Sequence, residues 1–248
     1  MQSIDRAMAI TSVLATHMTD NGISISDLSK ECELPLSTMH RLLKAMIKQG
    51  MVEQDAHTKC YRLGTIWLEY GLQVYDSMDY VNKIRPELER LMRGVDESVY
   101  LSKPSGLEAI IIERIDSENN PIRIYDQLGL RIPMHIGAAN KAMLANMPTV
   151  KSNAILKELL PIEQLPVMEV ALKKIKKQGY AISHGEKTEG TSSVAVAVRD
   201  GLGEVVGAVS IGFVSFNLTE SRMEFLIEKA IETGKRISEK LGSTVAQD

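Results

Sequence analysis

Leu36-Ser-Thr-Met-His-Arg-Leu-Leu-Lys-Ala-Met-Ile-Lys-Gln-Gly50 decides the reading of this 248-residue chain. Met39, Leu42, Leu43, Met46 and Ile47 recur at the helical period and are expected to face a core. Ser37, His40, Arg41, Lys44 and Lys48 recur at the same period on the opposite side. No acidic residue falls between Leu36 and Met51. A helix face of hydroxyl, imidazole and three cations suits the edge of a DNA major groove, with phosphates on either flank. Cations alone would be explained by a solvated helix face. Their setting argues for more.

Upstream, Ser26 is the expected N-cap of a short helix through Asp27, Leu28, Lys30 and Glu31. Leu34-Pro35 ends it, because a residue before proline is pushed out of the α region. Gly50 closes the second helix at the usual C-terminal glycine position. Beyond it, Met51-Val-Glu53 and Lys59-Cys-Tyr-Arg-Leu63 flank a polar tip at Asp55-Ala-His-Thr58, as in a β-ribbon. Ile4, Met8, Ile10, Val13, Leu14 and Met18 give a first helix an apolar stripe. Residues 1–63 therefore read as a winged helix-turn-helix whose partner is double-stranded operator DNA. Thr38 and His40 lie near the start of the recognition helix, where base edges are met, and Arg41 and Lys44 project one turn apart. Lys48 and Lys59 are placed to touch phosphate.

Those 63 residues hold seven basic side chains (Arg6, Lys30, Arg41, Lys44, Lys48, Lys59, Arg62) and seven acidic ones, and the whole chain carries a net charge of −3. A neutral head with clustered cations fits selective reading of a site, not a nucleic-acid coat. Cys32 and Cys60 are the only cysteines and form no Cys-x-x-Cys pair. Free thiols in a reducing cytoplasm are expected. No apolar run approaches the roughly eighteen residues of a membrane helix, so no membrane partner is expected. The first residues also lack a basic stretch followed by an apolar one, so nothing marks secretion.

From Leu63 to about Met78 the helical pattern returns with Ile66, Trp67, Tyr70, Val74 and Tyr75. Residues 64–79 read as a linker helix, and its aromatic side is the expected subunit contact of a homodimer or homotetramer. A helix from Tyr80 to Gly94 follows. Ser98–Ser102 and Ala109–Ile115 read as a hairpin about Pro104-Ser-Gly106, and Ile122 to Ile132 as another strand or two. Helices are expected over Ala138–Met147, Lys151–Leu160 and Met168–Gln178, stopped by Gly179. Strands return at Tyr180–Ser183, Ser193–Arg199 and Glu204–Phe213, with Asp200-Gly201 in a tight turn. A helix from Thr219 to Leu241 closes residues 80–248. This is one α+β domain with an antiparallel sheet.

Ser192, Ser193, His135, His184 and Glu186 compose a Ser-His-Glu set on paper, but no Gly-x-Ser-x-Gly elbow surrounds either serine. No catalytic residue is assigned. His135, His184 and Glu186 also form a weak metal set, since the five histidines include no His-x-x-x-His pair. No metal or cofactor is expected. Gly201-Leu-Gly203-Glu-Val-Val-Gly207 has its third glycine one place too far for a nucleotide loop, and a strand follows it. The strand from Ser193 sets Val194, Val196 and Val198 on a core face and Ser193, Ala195 and Ala197 on a small one. That small face leaves room for either a ligand or a packed helix. Gly137-Ala138 opens the helix carrying Lys141, so unpaired backbone N–H groups at a positive helix end would favour an anion there. With the hydroxyls of Ser183 and Ser193, His184 close by, and no Phe or Trp in these motifs, the expected ligand is a small carboxylate. A hydroxylated sugar acid or a keto acid fits better than an aromatic acid.

Four stretches carry a family likeness: Gln2-Ser-Ile-Asp-Arg-Ala7 with the recognition helix Leu36–Leu43, Ile132-Pro-Met-His-Ile-Gly-Ala-Ala-Asn-Lys-Ala142, Gly179-Tyr-Ala-Ile-Ser-His-Gly-Glu-Lys-Thr-Glu-Gly190, and Ser193–Val198. Across nearly its whole length the chain resembles the IclR family of bacterial transcriptional regulators. The resemblance implies an N-terminal winged helix, a linker helix and a C-terminal effector domain related to the GAF fold. It also implies binding to palindromic operators as dimers or tetramers, control by small organic acids, and more readily repression than activation. By position, the effector would meet Gly137, Ala138, Ser183 and Ser193. Here Asn140 stands where the family commonly has glycine, Ser183 where it has an acid, and Ser193 where it has cysteine.

Overall fold

The computed structural model describes residues 2–18, 22–120, 124, 126–216 and 218–243. They form two compact units, residues 1–79 and 80–248. In the first, helices α1 (Gln2–Thr16), α2 (Ile25–Glu31) and α3 (Leu36–Lys48) precede a ribbon of β1 (Val52–Gln54) and β2 (Tyr61–Leu63), and α4 (Ile66–Asp76) follows. Their shared core is Ile10, Leu14, Ile23, Leu28, Met39, Leu43, Met46, Val52 and Tyr61.

Several local expectations are corrected. The cap of α2 is Ser24, whose Oγ accepts from the Asp27 N–H, so Ser26 lies inside the first turn. Ser24 has the extended backbone that a cap needs, and a cap two residues earlier adds one more half-turn. Helix α2 stops at Glu31, and Glu33 at φ 51° makes the turn ahead of Pro35. On α1 only Ile10 and Leu14 of the expected stripe are buried, while Ile4, Met8 and Met18 are exposed. On α3 the core face is Met39, Leu43 and Met46. Leu42 is half-buried and Ile47 exposed, since a short helix on a small core buries a narrow stripe.

The second unit begins with α5 (Asp79–Val95), followed by the hairpin β3 (Ser98–Ser105) and β4 (Glu108–Ile115) and the short β5 (Arg131–Pro133). Of the strand or two expected over Ile122–Ile132, residues 122, 123 and 125 lie outside the described residues, Gln127 to Leu130 is a turn closed by a Leu130 N–H to Gln127 C=O bond of 3.2 Å, and only Arg131 and Ile132 are strand, in β5. Helices α6 (Ala138–Asn146), α7 (Thr149–Leu159) and α8 (Leu165–Gln178) come next, and Gly179 at φ 81° ends the last. Then β6 (Ala181–His184), β7 (Thr191–Arg199), β8 (Val205–Val214) and α9 (Glu220–Lys240) complete the unit. The six strands run β5-β4-β3-β8-β7-β6, every neighbouring pair antiparallel.

Strand β7 is buried on both faces, which decides between the two expected occupants of its small face. Ala195 joins Ala181 and Ala208 in the cluster with Ala138, Ala142 and Met143 of α6, so the small face takes a packed helix. Alanines allow α6 to lie close on the sheet. On the valine face, a Cβ at Gly234 of α9 would come within 2.4 Å of Val196 Cγ2, so that helix also sits in close approach. Helix α9 is tied to α5 by Glu87, whose oxygens accept from Arg236 at 2.9 Å and Lys240 at 2.7 Å. Lys240 first, and then Arg236, hold the Glu87 carboxyl below its usual range against the opposing effect of burial.

The first unit depends on one close backbone approach. A Cβ at Gly64 would stand 2.0 Å from the Gly50 carbonyl oxygen and 2.9 Å from Val52 N. Backbone cannot give way there as a side-chain tip can. Gly64→Ala is therefore expected to destabilise the first unit by about 3 kcal/mol, the upper end of the overpacking range. Amide hydrogen exchange on the full chain should show protection lost in α3 and the ribbon but kept in β7 and β8. Unchanged protection in α3 would contradict the constraint.

Candidate functional site

In the first unit, α3 turns Ser37, His40, Arg41, Lys44 and Lys48 to the outside, with Thr38 half-buried at the start of the face. None of Arg41, Lys44 and Lys48 makes an ion pair within the described residues, so the three cations are available to an anionic partner. An open groove of about 520 Å³ runs between α3 and the ribbon, lined by Ser37, His40, Arg41, Lys44, Gln54 and Tyr61 among others. Gln54 went unnoticed in the sequence because its nearness to α3 follows from the ribbon's fold-back, not from spacing along the chain.

The ribbon tip is held by Asp55, whose Oδ1 accepts from the His57 N–H at 2.9 Å, the Thr58 N–H at 2.7 Å and the Thr58 hydroxyl at 3.0 Å. These bonds, Thr58's first, keep the carboxyl below its ordinary range. Lys59 follows at φ 59° and is exposed. Arg62 is partly neutralised by Glu53 at 3.5 Å, which leaves Lys59 as the freer cation of the ribbon.

In the second unit, a cavity of about 80 Å³ opens where α6 begins. It brings together four of the five expected residues: Gly137 and Ala138 at the helix start, and Ser183 and Ser193 paired across β6 and β7. His184 does not line it. Its Nδ1 lies 2.8 Å from Ser192 Oγ, which lies 2.7 Å from Ser215 Oγ. That chain of bonds ties the end of β6 to β7 and β8. Glu186 is engaged elsewhere, so no Ser-His-Glu relay forms, and no cluster of three metal-ligating side chains exists among the described residues.

Two walls of the cavity were missed. Tyr100 and Ser102, two apart on β3, share a face and line it, and Asp126 stands at its edge. The polar residues within the apolar run of β3 were the available signal, but their nearness to Ser183 and Ser193 passes through β8 and was not legible. The Tyr100 hydroxyl is committed to the Ile124 carbonyl at 2.5 Å, and burial pushes its pKa to about 12. Ser102 and Ser183 are 5% and 6% exposed as residues, and both line the cavity, to which their hydroxyls are open. Asn140 supports the site from beneath, its amide donating to the Ile132 and Pro133 carbonyls at 3.1 and 3.0 Å. Met134 is fully buried in the core and not in the cavity wall.

The backbone N–H groups expected to be free at the helix start are not all free. Gly137, at φ 86°, donates to Glu186 Oε2 at 2.8 Å, and Lys141 bonds the other oxygen of the same carboxylate.

A winged reading head with a free cationic face, joined in one chain to an α+β domain with a hydroxyl-lined cavity, defines a DNA-binding transcriptional regulator with a ligand domain. Family models agree over most of the chain: the IclR helix-turn-helix domain matches residues 3–56, and the bacterial transcriptional regulator IclR C-terminal domain matches residues 72–239. The chain belongs to the IclR family. It is 30% identical to the HTH-type transcriptional regulator KipR of Bacillus subtilis over 90% of this chain and 91% of that one. It is also 30% identical to the HTH-type transcriptional repressor AllR of Salmonella typhi, over 97% and 90%. The crystal structure of the Thermotoga maritima IclR superposes with a TM-score of 0.76 at 25% identity, covering 98% of this chain and 99% of that one. Both curated relatives are named as transcriptional regulators.

Proposed function

We propose that this regulator is a cytoplasmic repressor that releases its operator when a small hydroxy or keto acid enters the cavity of residues 80–248. Residues 1–63 read DNA, and residues 64–79 join the two functions. The observation that carries the ligand half is the cavity at the start of α6, lined by the buried residues Ser102 and Ser183 together with Ser193. The cavity wall carries the hydroxyls of Ser102, Ser183 and Ser193, which suit a hydroxylated or keto acid such as a sugar acid. Among the described residues, Tyr100 is the one aromatic residue lining the cavity, and no Phe or Trp stands beside it to stack on the ring of an aromatic acid. The similarity to AllR, named as a repressor, supports repression.

On the DNA side, Arg41 is assigned to a base edge, with Ser37, Thr38, His40 and Lys44 around it and Lys48 and Lys59 on phosphate. A homodimer joined through α4 brings two heads to two half-sites. That helix has no buried residue, and Leu68, Tyr70, Leu72 and Val74 are exposed on it. Trp67, in contrast, donates to the Met51 carbonyl at 2.8 Å, so its role is to anchor α4 on the head and not to meet a partner.

Three measurements follow. Arg41→Ala is expected to cost about 1–3 kcal/mol at one operator position and to relax specificity there, while Lys48→Ala weakens specific and random DNA alike with a flatter salt slope. Equal loss on both DNAs from Arg41→Ala would sink the base contact. Light scattering at micromolar concentration should give at least twice the chain mass of 27.5 kDa, and a monomer with and without operator contradicts the dimer. Finally, one or more of a panel of keto, hydroxy, sugar and aromatic acids should raise the unfolding free energy by about 2.7 kcal/mol at a hundredfold excess over its dissociation constant. No response to any acid in the panel would overturn the effector assignment.

A further inference from the structure

The start of α6 already holds a carboxylate, and it belongs to the protein. Glu186 lies on the turn between β6 and β7, yet its side chain reaches back across the cavity mouth. One oxygen accepts the Gly137 N–H at 2.8 Å and the other is bonded by the largely buried Lys141 ammonium. Gly137 has no side-chain cap, so Glu186 satisfies an orphan donor at the positive end of the helix. We propose that Glu186 is the resident occupant of the effector's carboxylate site, and that an effector binds by displacing it.

This rests on the assignment of the cavity as the effector site, and adds how that site is gated. Charge decides the order of events. One ammonium and one helix terminus face the cavity mouth, and Glu186 already balances them. A second carboxylate set beside the first would bring two anions against the same cation at short range, which disfavours simultaneous occupancy. The hydroxyls of Ser102 and Ser183 lie deeper. They are the partners an incoming acid gains and Glu186 does not use.

The segment carrying Glu186 is built to let go. Gly185 at φ 63° and Gly190 at φ 76° bracket it, and residues 184–190 are all exposed, so lifting it uncovers little apolar surface. Two further ties hold the strap: an ion pair from Lys187 to Asp126 at the cavity edge, and the Thr188 carbonyl, which accepts from the Thr191 N–H at 3.2 Å and the Thr191 hydroxyl at 2.6 Å. The base of the strap stays fixed meanwhile, through Gly185 N–H to Thr191 C=O at 2.7 Å and Ser215 N–H to Gly190 C=O at 2.9 Å. Displacement therefore moves Glu186 and Lys187 and leaves Thr188 and the sheet in place, turning occupancy of a small cavity into movement of a surface segment.

The test uses the full chain, its Glu186→Ala and Glu186→Gln variants, and three probes: acetate as a minimal carboxylate, pyruvate as a keto acid and glycerate as a hydroxy acid. A site nine-tenths occupied from within weakens apparent affinity about tenfold, so Glu186→Ala should bind pyruvate or glycerate about tenfold more tightly than the parent. Glu186→Gln, which keeps the shape without the charge, should fall between. Millimolar acetate should raise the melting temperature of Glu186→Ala saturably, beyond a chloride control, and leave the parent unmoved. If the parent binds pyruvate or glycerate and Glu186→Ala binds it equally or more weakly, displacement is wrong while the effector site stands. If acetate rescues Glu186→Ala but the parent answers none of the acids, internal occupancy of the anion site stands and the effector assignment fails. If acetate leaves Glu186→Ala no more stable than the chloride control does, the resident-carboxylate account is overturned.

Discussion

Strand β7 is the constraint on which the second unit depends. Its side chains alternate between alanines that admit α6 and valines that meet α9 across Gly234. Because the alanine face is so shallow, α6 lies close against the sheet and its first turn arrives beside Ser193, where the alternation ends in a hydroxyl. The cavity is what remains when a helix start, with its unpaired donors, is pressed against a sheet that has run out of apolar side chains. Fold and site share one cause. A larger residue at Ala195 would lift α6 and move the anion-binding terminus, so binding and packing cannot be tuned separately there.

The two units solve opposite electrostatic problems. The head gathers free cations on one exposed face, where they gain from phosphate and need no internal partner. Its remaining charges are spent on local structure, as in the Asp55 turn and the Arg62–Glu53 pair. The second unit buries its charges and must pair them: Glu87 with Arg236 and Lys240, and Lys141 with Glu186. On the proposed reading, a carboxylate ligand would enter a site whose charge is already balanced, and the energy of binding would come from exchange and from newly satisfied hydroxyls. For that reason small differences among acids can be read by a small cavity.

Much of this was legible in the sequence, and the failures have physical reasons. The polar and apolar stripes of α3, the glycine stop and the ribbon were set by local periodicity, which needs no tertiary knowledge. Ser183 and Ser193 came from motif position, and their pairing across β6 and β7 follows from a hairpin. The cap at Ser24 was misplaced because three serine and isoleucine alternatives stand in a row and only backbone geometry chooses between them. Tyr100 and Ser102 were missed because their contribution passes through β8, a partner more than a hundred residues away. The alanine face of β7 left a ligand and a packed helix as alternatives, since small residues signal room without saying what fills it. Glu186 stood in the right motif, but nothing along the chain indicated that it would take the Gly137 donor.

The central claim is that ligand and operator act on one equilibrium of one molecule. The most direct measurement is the dissociation constant of an acid identified by stabilisation, taken on the full chain with and without operator, beside that of the operator with and without the acid. The account predicts that each constant weakens by the same factor, within the roughly 5- to 150-fold range of ordinary coupling energies. An acid that binds equally tightly in the presence and absence of operator would contradict it.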